Sequence, residues 1–425
     1  MRRSPLAALL MAGTAWTPAA FAQQEPQSTL TATISERFEY DSNYQLDDPS
    51  AGDTYFADTI FAMDYLQETE DRILGLGFDV GLRALWEADE DFDWQVASPS
   101  GAYLLYEDEG PHLAFDADVS ARTRQVENDD DDIEDDIDDT LENLGDAREI
   151  RYDADVGFEI GPDAPMSYGM RFLGTDIDYE DNEGGLTPRQ TVEGQAFLTA
   201  RINPVLSAAL FGSYFRYSAD NNAETEVDIA EGDIGIIYEP SEVLEITAGV
   251  GYADREREDF GEQTESDSGI VLRGNVNYIL PDFTINADGR YTTAAPDPRF
   301  SFNLRTNYAL QRSQLFARVY NRYTGAASGG ANEVRVTGAA FGVVHEINDI
   351  SRVRLDLGYA HQENLDDDDD PDIDRTNLTA SYFHDLTERI TAEVGYGYTR
   401  RQDDPDDATS HRLFVEIGRT FETGL

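Results

Sequence analysis

The chain has 425 residues, 86 of them acidic and 31 basic, for a formal net charge of -55 at pH 7. Every basic residue is arginine, and neither lysine nor cysteine occurs. That excludes a P-loop or Schiff-base lysine, a catalytic thiol, a thiolate metal site and a disulfide. The charge argues against nucleic acid as a partner, and 22 Tyr and 21 Phe argue against a disordered acidic chain.

Arg2 and Arg3 precede an apolar stretch from Leu6 to Trp16, and Ala20-Phe21-Ala22 has the small-x-small form of a cleavage site. This pattern predicts a signal peptide over residues 1–22 and a short lead-in over residues 23–27. The apolar stretch is too short to span a bilayer, and no later segment approaches the ~20 apolar residues that a membrane helix needs.

From there the chain alternates. Leu74, Leu76, Phe78, Val80, Leu82, Ala84 and Trp86 are interleaved with Gly75, Gly77, Asp79, Gly81 and Arg83. The same period of two runs through Ile150 to Ile160, Phe300 to Tyr308 and Val353 to Tyr359. Each stretch has one apolar face and one face of glycine and charge, the pattern of a strand. About twenty such segments are predicted, each near the length of a tilted membrane strand.

The connections alternate in length. Short ones fall at Glu107–Gly110, Gly161–Pro165, Asn203-Pro204, Pro240–Glu242, Pro281-Asp282, Arg312 and Thr387-Glu388. Long ones fall at Asp41–Asp53, Glu127–Ala147, Asp181–Pro188, Arg257–Ser266, Asn364–Asp372 and Gln402–Ala408. A Greek-key sandwich has no reason to keep this alternation. A membrane barrel does, with short turns periplasmic and long loops outside. Tyr40, Tyr65, Trp86, Trp94, Tyr106, Tyr179, Tyr238, Tyr278 and Tyr398 stand where interfacial girdles are expected.

The prediction is therefore all-β: one antiparallel transmembrane barrel over residues 28–421, of ~20 strands (18 or 22 also fit), with a tail at 422–425. The lead-in is too short to be the plug of a TonB-dependent transporter.

Three stretches carry a resemblance: Glu36-Arg37-Phe38-Glu39-Tyr40-Asp41-Ser42-Asn43, the turn and Gly/Tyr-rich strand from Leu386 to Arg401, and the closing strand from His411 to Phe421. On these the mature chain resembles the outer-membrane β-barrel families labelled porin-2-like. The resemblance implies residence in the outer membrane, contact with its lipid and lipopolysaccharide, insertion by the barrel-assembly machinery and, for some relatives, surface-polysaccharide export. The chain departs from such barrels in continuing past Phe421 to Leu425 rather than ending on an aromatic.

Two sets of charges invite chemistry. Arg83, Arg122, Arg124, Arg151, Arg273, Arg290, Arg305, Arg354 and Arg401 share strand faces with Asp79, Asp116, Asp118, Asp153, Asp155, Asp288, Asp356 and Glu393. In a barrel these face the lumen, where charged rings set selectivity. Cross-strand pairing that satisfies a polar interior is an equal reading. The second set lies in long connections: Asp129, Asp130, Asp131 and Asp132, Asp135-Asp136, Asp138-Asp139, Asp366, Asp367 and Asp368 continuing to Asp370, and Asp403–Asp407. Clustered carboxylates suit divalent cations, or exopolysaccharide bridged through them. However, Pro371 stands where an EF-hand needs its turn glycine. The simpler reading is a solvated acidic surface.

No cofactor is expected, and neither G-x-S-x-G nor H-E-x-x-H occurs. Of the five histidines, His361 beside an acidic loop is the best candidate for an Asp/His pair, short of a catalytic set. The function expected is a porin-like, cation-preferring channel for ions, small solutes or exported polymer. The alternative is a non-conducting barrel whose acidic loops bind cations or polysaccharide.

Overall fold

The computed structural model describes residues 27–424, save 45, 47–49, 51, 70–71, 88–92, 109–112, 125–147, 162–163, 181–187, 221–223, 296–297, 325–333, 366–371 and 404–405. Of residues 27, 87, 93–100, 107–108, 113–124, 148–149, 179–180, 262, 324, 334, 364 and 406, only the backbone is described. The expected signal peptide and most of its lead-in lie outside the described residues.

The described residues form twenty strands. The first ten are β1 (Gln27–Asp41), β2 (Thr54–Glu68), β3 (Arg72–Glu87), β4 (Asp93–Asp108), β5 (Leu113–Arg124), β6 (Arg148–Ile160), β7 (Met166–Glu180), β8 (Arg189–Asn203), β9 (Leu206–Ala219) and β10 (Glu226–Ser241). The rest are β11 (Leu244–Asp259), β12 (Glu262–Leu280), β13 (Phe283–Thr292), β14 (Arg299–Ala309), β15 (Ser313–Thr324), β16 (Val334–Asn348), β17 (Ser351–Asn364), β18 (Ile373–Thr387), β19 (Ile390–Asp403) and β20 (Asp406–Gly424). Each pairs antiparallel with its neighbours in sequence, and β1 pairs with β20 from Thr29↔Gly424 to Asp41↔Arg412. The sheet is thus closed, and no strand edge is left to bond with lipid or another chain.

Alternation gives the two faces opposite chemistry. On β10, Ile234 and Ile236 are 60% and 48% exposed, whereas Glu231, three residues before Ile234, is buried. Leu76, Phe78, Val80 and Leu82 on β3, and Leu413, Val415 and Ile417 on β20, are exposed in the same way. These side chains form an outer apolar band. Tyrosines bordering it hold their hydroxyls to polar groups toward the long connections: Tyr40 to Asp53 (3.0 Å), Tyr214 to Asp228 (2.6 Å) and Tyr359 to Asp374 (2.6 Å). On β10 the band runs from Asp228 to Tyr238. Ten residues span ~33 Å of strand, or ~23 Å of height at a ~45° tilt, close to the ~25 Å band of a membrane barrel.

Three expectations are corrected. Arg257–Ser266 is not a long loop: β11 and β12 continue to a two-residue turn, Phe260-Gly261, with φ of 56° and 71°. Two successive positive φ values are the mark of the tight hairpin turn whose twist matches the strands, and glycine takes the second without strain. Strands also narrow the Gln402–Ala408 connection, ending at Asp403 and resuming at Asp406. Residues 422–424, expected as a tail, are the end of β20 and pair with β1.

Candidate functional site: the inner wall of the barrel

Arg273 on β12 reaches Glu231 on β10 across β11, and Arg290 on β13 reaches it across β11 and β12, at 2.8 and 2.7 Å. Side chains converge over an intervening strand on the concave side of a curved sheet, so the charged face lines the lumen. By register, the expected residues Asp79, Arg83, Arg151, Asp153, Asp155, Arg273, Arg290, Arg305, Arg354, Asp356 and Glu393 share the face of Glu231.

Arg83 forms a two-bond fork with Asp58 on β2, at 2.8 and 2.7 Å, and both side chains are more than nine-tenths buried. Its guanidinium lies 4.8 Å from the Phe56 ring, which meets Tyr44 edge-on at 4.7 Å. Arg151 bonds Asp153 (2.9 Å), which also accepts from Thr175 (2.7 Å). Asp155 takes the Arg171 guanidinium of β7 (Nε at 2.8 Å). Besides Glu231, Arg273 contacts Asp233 (3.4 Å) and lies over Phe211 at 4.8 Å. Arg354 bonds Asp356 at 2.7 Å.

Asp79 stands opposite Ala62 and Gly101, Arg305 opposite Asn286 and Arg318, and Glu393 opposite Phe383 and Glu416. On β5 the backbone register sets Asp116 opposite Gly157, Asp118 opposite Asp155 and Arg122 opposite Arg151; these β5 side chains lie outside the described residues. The cation candidates Asp129 to Asp132 and Asp366 to Asp368 also lie outside them.

The wall is therefore a set of ion-pair networks more than a ring of bare charges. Sequence reasoning missed Asp58, Arg171, Glu231 and Asp233. It also passed over a legible signal: arginine followed two residues later by an acid, as in Arg37/Glu39, Arg151/Asp153, Arg257/Asp259, Arg354/Asp356 and Arg401/Asp403. Spacing of two puts both on one strand face, and all five form ion pairs. Arg37 belongs to a larger cluster in which the Phe414 ring lies against both Arg37 and Arg412, at 4.3 and 5.6 Å.

The lumen differs along its axis. Phe56, Tyr217, Val227, Val271, Tyr320, Val336 and Phe414 face inward toward the long connections and are almost wholly buried. Two inward-packed segments contribute there. Tyr44 and Leu46 are buried after β1, as are Ala294 and Ala295 after β13. The first segment is held to β20 by Ser42 N–H donating to His411 O (3.1 Å) and Asn43 Nδ2 donating to Thr409 O (3.2 Å). Toward the short turns, Arg201, Gln314 and Arg352 on the same face are exposed.

Histidine chemistry lies elsewhere. His361 Nδ1 meets Asp374 at 3.0 Å on the outer face, and that carboxylate also accepts from Tyr359. Ser313–His345 and Ser351–His384 pair at 2.8 Å near the short turns, again outside, and among the described residues no carboxylate bonds either imidazole. None of these forms a nucleophile–base–acid set.

An even-stranded antiparallel barrel, closed, apolar outside and polar inside, defines the class: a transmembrane β-barrel of the bacterial outer-membrane type. No family model and no curated protein matches the chain. Solved structures align over nearly its full length. The siderophore receptor PirA from Pseudomonas aeruginosa aligns at 9% identity and a TM-score of 0.47, over 94% of this chain and 81% of that one. The outer-membrane channel DcaP of Acinetobacter baumannii gives 12% and 0.41, over 93% and 97%. Pseudomonas aeruginosa OccK5 (OpdH) gives 9% and 0.39, over 92% and 98%. At such scores the class rests on closure and the two faces of this chain, not on these likenesses.

Proposed function

We propose that this barrel is a porin-like channel of the outer membrane, passing ions and small hydrophilic solutes through its lumen. The observation that carries this is a closed sheet of twenty strands whose inner wall is built of hydrogen-bonded charge pairs. Barrels of 16 to 18 strands already enclose an aqueous channel, and an apolar core would need no such wall. Because the wall pairs its charges, the chain's surplus of -55 belongs mainly to its ends and loops. There it enriches cations at the mouths, so small-ion current should be cation-selective.

Single-channel recording in a planar bilayer under a salt gradient tests this. Discrete steps with a cation-selective reversal potential are expected. The buried inward side chains toward the long connections, such as Phe56, Tyr217, Tyr320 and Phe414, favour a second reading, a closed barrel acting by surface binding. A folded protein that stays electrically silent would overturn the channel reading in its favour.

A further inference from the structure

The outer apolar band does not end in the same way all round the barrel. On β8, β10 and β14 it reaches the short turns as Ile202, Tyr238 and Tyr308, all exposed and uncharged. On β20 it is interrupted: after Leu413, Val415 and Ile417 the next outward residue is Arg419. Register sets Arg419 between two outward isoleucines, Ile34 of β1 and Ile390 of β19. A guanidinium at the edge of hydrocarbon is costly unless it meets water or an anion.

A second arginine is brought to it by the turn between β18 and β19. Arg389 N–H donates to Thr387 Oγ1 (3.2 Å), and the Arg389 carbonyl accepts from Thr420 N–H (3.0 Å). The turn is thereby seated against β20. Thr387, Glu388, Arg389, Ile390 and Arg419 line one open hollow of about 360 Å³. Both arginines are exposed, and among the described residues neither forms an ion pair, even with Glu388 in the same hollow. The Arg419 guanidinium lies 4.6 Å from the centre of the Phe421 ring, which is the next outward residue toward the short turns. Its charge therefore leans away from the apolar band, toward the periplasmic headgroup layer. Two cations and one anion face that layer without pairing with each other.

We propose that this hollow binds the headgroup of an amine-bearing phospholipid, phosphatidylethanolamine, in the periplasmic leaflet. Charge complementarity carries the assignment. Two guanidiniums suit one phosphate, which accepts their planar N–H groups, and the Glu388 carboxylate suits the ammonium. A headgroup with a phosphate and no amine would leave Glu388 facing an anion. The acyl chains lie on the outer band beside Ile34 and Ile417, both exposed. The site is on the outside of the barrel, so it stands whether or not the lumen conducts.

The test is native mass spectrometry of the barrel refolded in detergent and titrated with phosphatidylethanolamine or phosphatidylglycerol of the same acyl chains. One retained phosphatidylethanolamine per barrel is expected, held about tenfold tighter than phosphatidylglycerol, the worth of one charge contact. R389Q/R419Q should weaken retention about tenfold or more. E388Q should abolish the preference and leave the two lipids equally bound. R400Q, exposed on the outer face at the opposite end of the band, should change neither. Inorganic phosphate should not displace the lipid. Each variant is first checked for the heat-dependent gel shift of a folded barrel, and R419Q replaces the double if that one fails to fold. No retained lipid, equal retention of the two lipids by the parent, or a preference that survives E388Q would overturn the proposal. So would displacement by phosphate, or a loss in R400Q equal to that in the double.

Discussion

The two faces of β10 are separated by one peptide unit and live under opposite rules. Outward, Ile234 and Ile236 are exposed and have no polar work to do. Inward, Glu231 is buried and holds Arg273 and Arg290. In a soluble sheet the exposed face would be the charged one and the buried face apolar. Here the order is reversed because the solvent outside is hydrocarbon and the interior is polar. The comparison teaches that exposure alone says little about a membrane barrel, whereas exposure together with chemistry assigns each face.

The largest expected effect comes from breaking the most buried inner pair. Asp58→Ala leaves Arg83 inside without its fork partner and should cost about 3–5 kcal/mol, read as a lower urea midpoint for the barrel refolded in lipid vesicles. Asp58→Leu with Arg83→Leu should recover most of that loss. Equal loss in the double would mean that packing, not charge, dominates the site.

Next comes the outer band. Ile236→Arg places a charge in hydrocarbon and should cost about 2–4 kcal/mol. Asn275→Arg, facing inward opposite Asp288, should stay within about 0.5 kcal/mol of the parent. Similar penalties at the two positions would refute the face assignment.

A smaller effect is expected where a ring fills the space above a glycine. A Cβ at Gly395 would lie 2.1 Å from the Phe414 ring, so Gly395→Val should displace that ring and cost about 1–3 kcal/mol. The smallest concerns Arg400 and Asp407, exposed on the outer face and bonded at 2.8 and 2.7 Å. Arg400→Gln should leave the urea midpoint unchanged, because water and salt screen such a pair.

Much of this was legible in the residues. The alternation at Leu74 to Trp86 assigns the apolar and polar faces of β3, and the spacing of connections assigns its ends. Asp79, Arg83, Arg151, Asp153, Asp155 and Asp356 fall on one face because side chains alternate with a period of two. The β11–β12 hairpin was not legible. Arg-Glu-Arg-Glu-Asp at 255–259 lacks apolar alternation, yet it continues the strand where both faces of the sheet carry polar residues.

What the sequence determined by itself was the class: an alternating chain whose connections fit one closed antiparallel sheet. Partners were decided only by the tertiary structure. Glu231 lies 42 residues from Arg273 and 59 from Arg290, and Asp41 meets Ser410 across the closing seam. Strand register sets which residues stand opposite, and curvature lets side chains on the concave face reach over a neighbouring strand. Neither is written in the local pattern of any one strand.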